Sequence, residues 1–206
     1  MTLIEVLVVV VMLFVLAAIL LPTGPHAGNK ARRINCVNNL KQIGLAFRIW
    51  QGNNGNKFPM EISTTNADAM KLITSGKAYV LWQMMSNELS TPKILYCPAD
   101  TDHVIATSFS SGFSDANISY FFGWDVTTND PQMILDGDDN LAVNGERVPP
   151  GLLNLRTNVP VAWTKERHHF AGFLGLADGS VQATTSAGLN SALVSSGAAT
   201  NRLLIP

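Results

Sequence analysis

The most constraining feature of the sequence is an unbroken apolar run near its start. Val6 to Leu21 reads VLVVVVMLFVLAAILL, and the polar residues up to Leu21 are Thr2 and Glu5. A helix of about 20 apolar residues can span the hydrocarbon core of a bilayer. A cleavable secretory signal would need basic residues before the run and a small-x-small site after it, and the sequence has neither. A helix of the globular core would be apolar on one face. The run therefore predicts a transmembrane helix.

Glu5 is the informative residue within this segment. A carboxylate inside an apolar helix costs roughly 2.5–3.5 kcal/mol on insertion scales, so a partner that offsets this cost is expected. In a stack of parallel helices, the cationic α-amine of Met1 from one subunit can meet Glu5 of its neighbour and set the axial register. The alternative is that Glu5 reaches the lipid headgroups from near the helix end.

A joint is expected directly after the apolar run. Pro22 kinks or ends a helix because it lacks a backbone donor and clashes with the preceding turn. Further prolines and glycines follow, so residues 22–28 are predicted to be extended or melted. An amphipathic helix then resumes at about Asn29, with apolar residues at three- and four-residue steps, and stops at the Gly/Asn-rich segment 52–56. We divide the chain into residues 1–28, a transmembrane or filament-core helix with its joint, and residues 29–206, a globular head.

The rest of the head alternates short apolar runs with turn residues. Strands are predicted at 94–98, 119–124 and 133–135, and helices at 67–74, 79–85 and 187–199. Apolar runs on both sides of Asp178-Gly179 predict a β-hairpin. The fold class expected is α+β, with one long N-terminal helix packed on a C-terminal antiparallel sheet.

The N-terminal residues resemble a known family. Met1-Thr-Leu-Ile-Glu5-Val-Leu-Val-Val-Val10 is similar to the mature N-terminus of type IV pilins and type II secretion pseudopilins, although that family usually has Phe where this chain has Met1. The resemblance implies cleavage by a prepilin peptidase, N-methylation, residence in the inner membrane as a precursor, and assembly by pilus machinery into an extracellular helical filament of identical subunits.

The head carries a second resemblance. The segment Arg33-Ile-Asn-Cys36-Val-Asn-Asn-Leu40 is followed by Cys97-Pro-Ala-Asp100, then by Ser119-Tyr120, and then by His168 with Asp178-Gly179. This order resembles a large pilin-like family marked by an H-x9-D-G motif. The molecular role of that family is mostly unassigned, so the resemblance implies architecture rather than biology.

Two pairs of residues follow from this architecture. A pilin head lies outside the inner membrane, where disulfides persist, so Cys36 and Cys97 are expected to be bonded. Two buried free thiols are the alternative. His168 and Asp178 are expected to form a hydrogen bond that pins the hairpin. An acid–base pair would need a neighbouring nucleophile or metal, for which the sequence has no motif, so no enzyme activity is expected.

A cluster of oxygen ligands makes calcium the one cofactor worth considering. Asp136, Asp138, Asp139 and Asn140 lie close together in what reads as a loop, and calcium favours such groups. An ordinary Asp/Gly/Asn turn is the alternative. The net charge of −1, from 14 basic and 15 acidic residues, gives no reason to expect a nucleic-acid partner.

The function expected is that of a structural subunit of a type IV pilus-like filament. Its assembly residues would be Met1, Glu5 and Pro22. A type II secretion pseudopilin has the same N-terminal sequence features and stays open as an alternative. A second alternative is an adhesin or binding module displayed on a filament, with segment 100–150 as its recognition surface.

Overall fold

The computed structural model describes residues 2–20, 25–63, 71 and 75–206. The chain divides into two compact units, Met1–Ala31 and Arg32–Pro206, where the sequence placed the boundary after residue 28. Met1 and Pro22 lie outside the described residues, as does the predicted helix at 67–74 except for Lys71.

Two helices make up the N-terminal region. Helix α1 spans Leu3–Leu20 and helix α2 spans Pro25–Asn53. Among the described residues, no helix meets the combination of length and apolarity needed to cross a membrane. The predicted transmembrane segment also included residues 1 and 21, outside the described set, and it stays a prediction.

The predicted extended joint is wrong for residues 25–28, which are helical. Pro25 is the first residue of α2, where a proline is tolerated because its missing N–H would have no partner inside the helix and its φ is already helical. Residues 22–24 of the joint lie outside the described residues.

Within the head, α2 presents one buried face. Cys36, Leu40, Ile43 and Phe47 are buried at three- and four-residue spacing, which confirms the amphipathic helix. Ile34 and Leu45 of the same helix are also apolar, but their side chains are 51% and 58% exposed. They fall outside the stripe because the helical period carries them onto the opposite side.

The remaining helices are short. They are α3 (Pro59–Ser63), α4 (Tyr79–Met84), α5 (Ser86–Leu89) and α6 (Ser186–Ser195), with 3₁₀ helices at Pro92–Leu95 and Asp115–Asn117. The strand predicted at 94–98 is wrong. Pro92 begins the 3₁₀ turn, and the Thr91 side chain accepts a hydrogen bond from Lys93 N at its start.

Nine strands are described, and all their pairings are antiparallel. They are β1 (Tyr120–Gly123), β2 (Ile134–Asp138), β3 (Leu141–Val143), β4 (Glu146–Arg147), β5 (Gly151–Arg156), β6 (Val161–Trp163), β7 (Ala171–Leu176), β8 (Val181–Thr185) and β9 (Thr200–Ile205). The large sheet has the order β5-β9-β1-β2-β7-β8, and β4-β3-β6 form a small sheet. The fold is α+β.

The large sheet separates two apolar cores. Tyr120 and Phe122 of β1 pack in the core that includes the buried face of α2 and Trp82. Phe121 points to the other side, into the core that holds Trp163 and the buried leucines of α6. This alternation is the period-2 pattern of a strand covered on both faces.

Candidate functional site

The head contains an unusual concentration of buried charge where β1 and β2 meet two loops. One loop follows the 3₁₀ helix at Pro92–Leu95 and carries Asp100 and His103, and the other precedes β7 and carries Arg167. We call Asp100, His103, Asp139 and Arg167 the charged cluster. The side chains of Asp100, Asp139 and Arg167 are each at most 3% exposed. Buried charges are stable only when they are paired and hydrogen-bonded.

Arg167 is the centre of the charged cluster. Its Nη2 lies 2.6 Å from Asp100 Oδ2 and also contacts Asp139 Oδ1. Its Nη1 donates to the backbone oxygen of Ser119 at 2.5 Å. One guanidinium therefore joins the two loops to the end of β2 and the start of β1.

Asp100 is held as a carboxylate. Burial opposes its ionisation, but the His103 hydrogen bond and the Arg167 charge outweigh burial, so the pKa of Asp100 lies well below its usual value. His103 Nδ1 lies 2.8 Å from Asp100 Oδ2, and the backbone N–H of Asp102 donates to Oδ1 at 2.8 Å. Asp139 behaves differently, because burial raises its pKa despite the opposing charge of Arg167.

A second group lies beside the charged cluster. Cys36 of α2 and Cys97 form a disulfide, which confirms that prediction. His168 Nε2 lies 3.6 Å from Cys97 Sγ and 3.6 Å from Asp138 Oδ2. We call Cys36, Cys97, His168 and Asp138 the sulfur–imidazole cluster. All four residues are buried.

The electrostatics of the sulfur–imidazole cluster favour uncharged side chains. Burial, together with the charges of Arg33 and Arg167, lowers the pKa of His168 to about 4. Burial raises the pKa of Asp138 to about 7, although Arg167 and the hydrogen bond from Phe173 N at 2.8 Å oppose that shift. The imidazole is therefore neutral near neutral pH and has a lone pair available.

The predicted hydrogen bond between His168 and Asp178 is wrong, because the carboxylate facing His168 belongs to Asp138. Asp178 instead accepts a hydrogen bond from Ser180 N at 2.8 Å, and hydrogen bonding from the Ser180 side chain and then from its backbone lowers the pKa of Asp178. Nine residues separate the two motif residues, and β7 carries the chain away from His168 before Asp178 is reached. Spacing along the sequence does not reveal this separation.

Asp178 and Gly179 form the turn of the predicted hairpin, which the β7–β8 pairing confirms. Gly179 has a φ of +81°, a conformation that favours glycine. The turn packs on α2, where a Cβ built on Gly179 would lie 2.7 Å from Arg48 Nε, and one built on Gly44 would lie 3.8 Å from Gly179 Cα. Gly44 and Gly179 therefore allow the hairpin turn to approach α2 closely.

The loop expected at residues 136–140 is wrong, while calcium binding by these groups stays a prediction. Asp136 and Asp138 are strand residues of β2, while Asp139 contacts Arg167 and Asn140 Nδ2 lies 3.4 Å from the backbone oxygen of Thr164. Asp136 is fully buried, and burial together with the charge of Asp138 raises its pKa well above its usual value, with a weaker opposing contribution from the Gly175 backbone. Asp139 is already contacted by a guanidinium, and the four groups are buried rather than arranged in an exposed loop.

The predicted assembly residues are only partly described. Glu5 lies in the first turn of α1, where its carboxylate accepts a hydrogen bond from Thr2 N at 3.2 Å. A carboxylate at this position is also favoured by the helix dipole. The pairing of Glu5 with Met1 of a neighbour stays a prediction.

Sequence reasoning missed Arg167 and His103, and it used Asp100 only as part of a motif. Arg167 directly precedes the motif histidine, and this adjacency is the one signal that pointed to it. A buried arginine is recognisable only once its carboxylate partners are known, and Asp100 is 67 positions away in the sequence.

Comparison with known proteins found no family model, no curated protein and no solved structure that matches the chain. The carboxylates of the charged cluster are paired internally with Arg167 and His103, which suits a role in holding loops together, and the large exposed apolar surface lies on α1.

Proposed function

We propose that the chain is a structural subunit of an extracellular type IV pilus-like filament, assembled through α1. The observation that carries this proposal is the exposure of α1. Its large apolar side chains between Leu3 and Leu16 are 44–87% exposed, and they occur at nearly every position. A helix that is apolar all round must be buried by something on every side.

Other copies of the same helix are the partners best suited to bury this apolar surface. Successive side chains turn by about 100° around a helix, so the run of apolar residues covers the full circumference of α1. Burying one large apolar side chain contributes about 1.5–3 kcal/mol relative to leaving it in water. A bundle of parallel copies would bury the whole helix in a dry core. We propose the inner membrane as the site of the precursor before assembly.

Glu5 gives this packing a preferred register. In a bundle of apolar helices its carboxylate is costly to bury, and a cationic α-amine on the adjacent copy would offset that cost. In a single chain, the Thr2 N–H already approaches the carboxylate. The carboxylate thus faces the N-terminal end of the helix, the side from which a neighbour's amine would approach.

The head is consistent with the pilin-like architecture proposed. The buried face of α2 packs on an antiparallel sheet, and a disulfide bonds α2 to the loop after the 3₁₀ helix. In an extracellular filament the cross-link would persist, because that environment is oxidising. Processing by a prepilin peptidase and export by a pilus machinery belong to the same proposal.

Electron microscopy of the purified full-length chain tests the function. Long uniform fibres built from this one chain are the expected result, and short or absent fibres would favour the pseudopilin alternative. A chain that stays monomeric in the absence of both lipid and detergent would contradict the proposal, since it would show that the apolar surface of α1 needs no cover.

One observation favours the alternative of a binding module. A shallow depression of about 500 Å³ is lined by hydroxyl and amide side chains together with Phe109. It includes Thr107, Ser108 and Ser110 of the segment expected to be the recognition surface. Binding of surface glycans by fibres, lost on Phe109→Ala with fibre yield unchanged, would support display of a binding module on the filament.

A further inference from the structure

The sulfur–imidazole cluster contains the donor atoms of a transition-metal site, two sulfurs and an imidazole nitrogen. In this structure the two sulfurs are bonded to each other in the disulfide. Cys36 Sγ, Cys97 Sγ and a ring nitrogen of His168 lie within 4.8 Å of one another, and all three residues are buried. Two thiolates and an imidazole are the donors that Zn²⁺ prefers in proteins. The disulfide accounts for the meeting of Cys36 and Cys97, but neither the filament proposal nor the disulfide requires the His168 ring beside them.

We propose that the head, when it folds with Cys36 and Cys97 reduced, holds a Zn²⁺ ion through both thiolates and His168. Either the disulfide or the metal ion, but not both, then links the two cysteines. The carboxylate of Asp138, 3.6 Å from His168 Nε2, is the candidate for the fourth position, and it lies outside the group whose ligand atoms are all within 4.8 Å of one another. This proposal is independent of the filament function.

The distances suit a tetrahedral ion. With Zn–S of about 2.3 Å and Zn–N of about 2.0 Å, a thiolate and an imidazole nitrogen on one tetrahedral ion lie about 3.5 Å apart. His168 Nε2 is 3.6 Å from Cys97 Sγ and the same distance from Asp138 Oδ2. The Cα atoms of Cys36 and Cys97 are 5.2 Å apart, which lets both thiolates reach one ion after the S–S bond is broken.

The ligands are also held in place by their surroundings. Phe173 N donates to Asp138 Oδ2 at 2.8 Å, and the Phe173 ring packs edge-on against His168 with 4.9 Å between ring centroids. The Arg33 guanidinium carbon lies 5.7 Å from the centre of the same ring. A site with two thiolates, one carboxylate and Zn²⁺ has a net charge of −1, which Arg33 and Arg167 are positioned to offset.

The other convergent group is a poorer metal site. Asp100, His103 and Asp139 also lie within reach of a common point. Arg167 already contacts both carboxylates, so a metal ion there would bring a second cation against a buried guanidinium. Among the described residues, Asp138 has no lysine or arginine ion-pair partner, and the charges of Arg33 and Arg167 act on this cluster from farther away.

The chemistry balances with an external reductant. A phosphine in water reduces the Cys36–Cys97 bond by two electrons and two protons and becomes a phosphine oxide, which leaves two thiols. Metal binding then replaces both thiol protons, which pass to solvent. Because the ligands are buried, we expect uptake during folding rather than into the closed, oxidised head.

The test uses the full-length chain in detergent, unfolded, reduced with a phosphine, freed of metal and refolded with Co²⁺ or Zn²⁺. Reduced wild type should bind about one ion per chain, and the Co²⁺ form should show thiolate charge-transfer absorption and the visible bands of a tetrahedral site. Chain refolded with its disulfide intact should bind none.

Variants separate this site from adventitious binding by thiols. His168→Gln should weaken Co²⁺ affinity by at least about tenfold, as loss of groups around metal sites commonly does. His169→Asn is the matched control, since it removes the adjacent, exposed imidazole and Asn tolerates the φ of +55° at that position. Circular dichroism of each oxidised variant reports whether its head still folds.

Three results would overturn the proposal. The first is a reduced wild-type chain that folds but takes up no more Co²⁺ than the oxidised form. The second is a reduced chain that stays unfolded with Co²⁺ present. The third is equal affinity in wild type and a folded His168→Gln variant, which would show that the thiols bind metal without the histidine.

Discussion

Arg167 Nη2 lies 2.6 Å from Asp100 Oδ2 with both side chains almost fully excluded from solvent. The contact joins two loops that are far apart in the sequence, and a third chain segment is added through Asp139. A buried ion pair of this kind is costly to break, because the charge that remains has no water to solvate it.

Arg167→Met should therefore destabilise the head by about 3–5 kcal/mol, the range observed when one partner of a buried pair is removed. Urea unfolding of the full-length chain in detergent measures the loss. Arg147→Met is the matched control. Arg147 pairs with Asp102 at 2.5 Å, but those side chains are 46% and 38% exposed, so it should cost less than about 1 kcal/mol. Equal losses in both variants would contradict the role given to burial.

Asp100 should make the head sensitive to acid. Its folded pKa lies below the unfolded value of about 3.9, so its contribution is complete above about pH 4 and is lost as the pH falls through the folded pKa. Asp100→Asn should lower stability at pH 7 and flatten its decline on acidification. The measurement is the midpoint of urea unfolding as a function of pH. A variant whose decline parallels that of wild type would show that other groups cause it.

Gly179→Ala should destabilise the hairpin turn for two reasons, backbone conformation and contact with α2. Gly112→Ala separates them, because Gly112 has a φ of +83° but open space around it. A left-handed alanine costs about 1–2 kcal/mol, so Gly112→Ala should lose that amount and Gly179→Ala more. Adding Arg48→Ala should narrow the difference between them in thermal unfolding. If Gly179→Ala and Gly112→Ala lose equal stability while Arg48 is present, contact between the turn and α2 does not contribute to the effect.

The disulfide should contribute about 4 kcal/mol, because it closes a loop over a sequence separation of 61 residues. The double variant Cys36→Ser with Cys97→Ser avoids leaving a single reactive thiol. Urea unfolding in buffer containing a chelator compares it with oxidised wild type. A loss below about 1 kcal/mol would mean that the reduced, unfolded chain already keeps the two segments together.

Glu5→Ala tests the register proposed for assembly. Filament yield should fall at least about tenfold, the effect of losing an interaction of about 1.4 kcal/mol per subunit. Glu166→Ala removes an exposed carboxylate from the head and should leave yield unchanged. Unchanged circular dichroism of the head in both variants keeps folding apart from assembly. A Glu5→Ala variant with the filament yield of wild type would show that Glu5 does not contribute to assembly.

Local signals in the sequence were sufficient to predict the elements that are determined by residues close to one another in the sequence. The Asp178-Gly179 dipeptide predicted its hairpin because turn geometry is decided within four residues, and the spacing of Leu40, Ile43 and Phe47 predicted the buried face of α2. The helix predicted at 187–199 corresponds to α6, which ends at Ser195. The disulfide was inferred from cellular context rather than from spacing.

The partners of His168 and Arg167 could not be predicted in the same way. They depend on which strands become neighbours, and β2 pairs with β7 from more than 30 residues away. Asp136 and Asp138 looked like loop residues because carboxylates are rare in a buried strand. The burial of Asp138 becomes understandable only when the charge of Arg167 and the Phe173 N–H are known.

The position of β9 constrains when the head can fold during synthesis. This strand lies between β5 and β1 inside the large sheet, although its residues, 200–205, leave the ribosome after those of every other strand. A nascent chain stopped before residue 200 would expose unpaired edges on both β5 and β1. The sheet is therefore completed only after translation has passed residue 205, and a truncated chain would be open to proteolysis and to pairing with other chains.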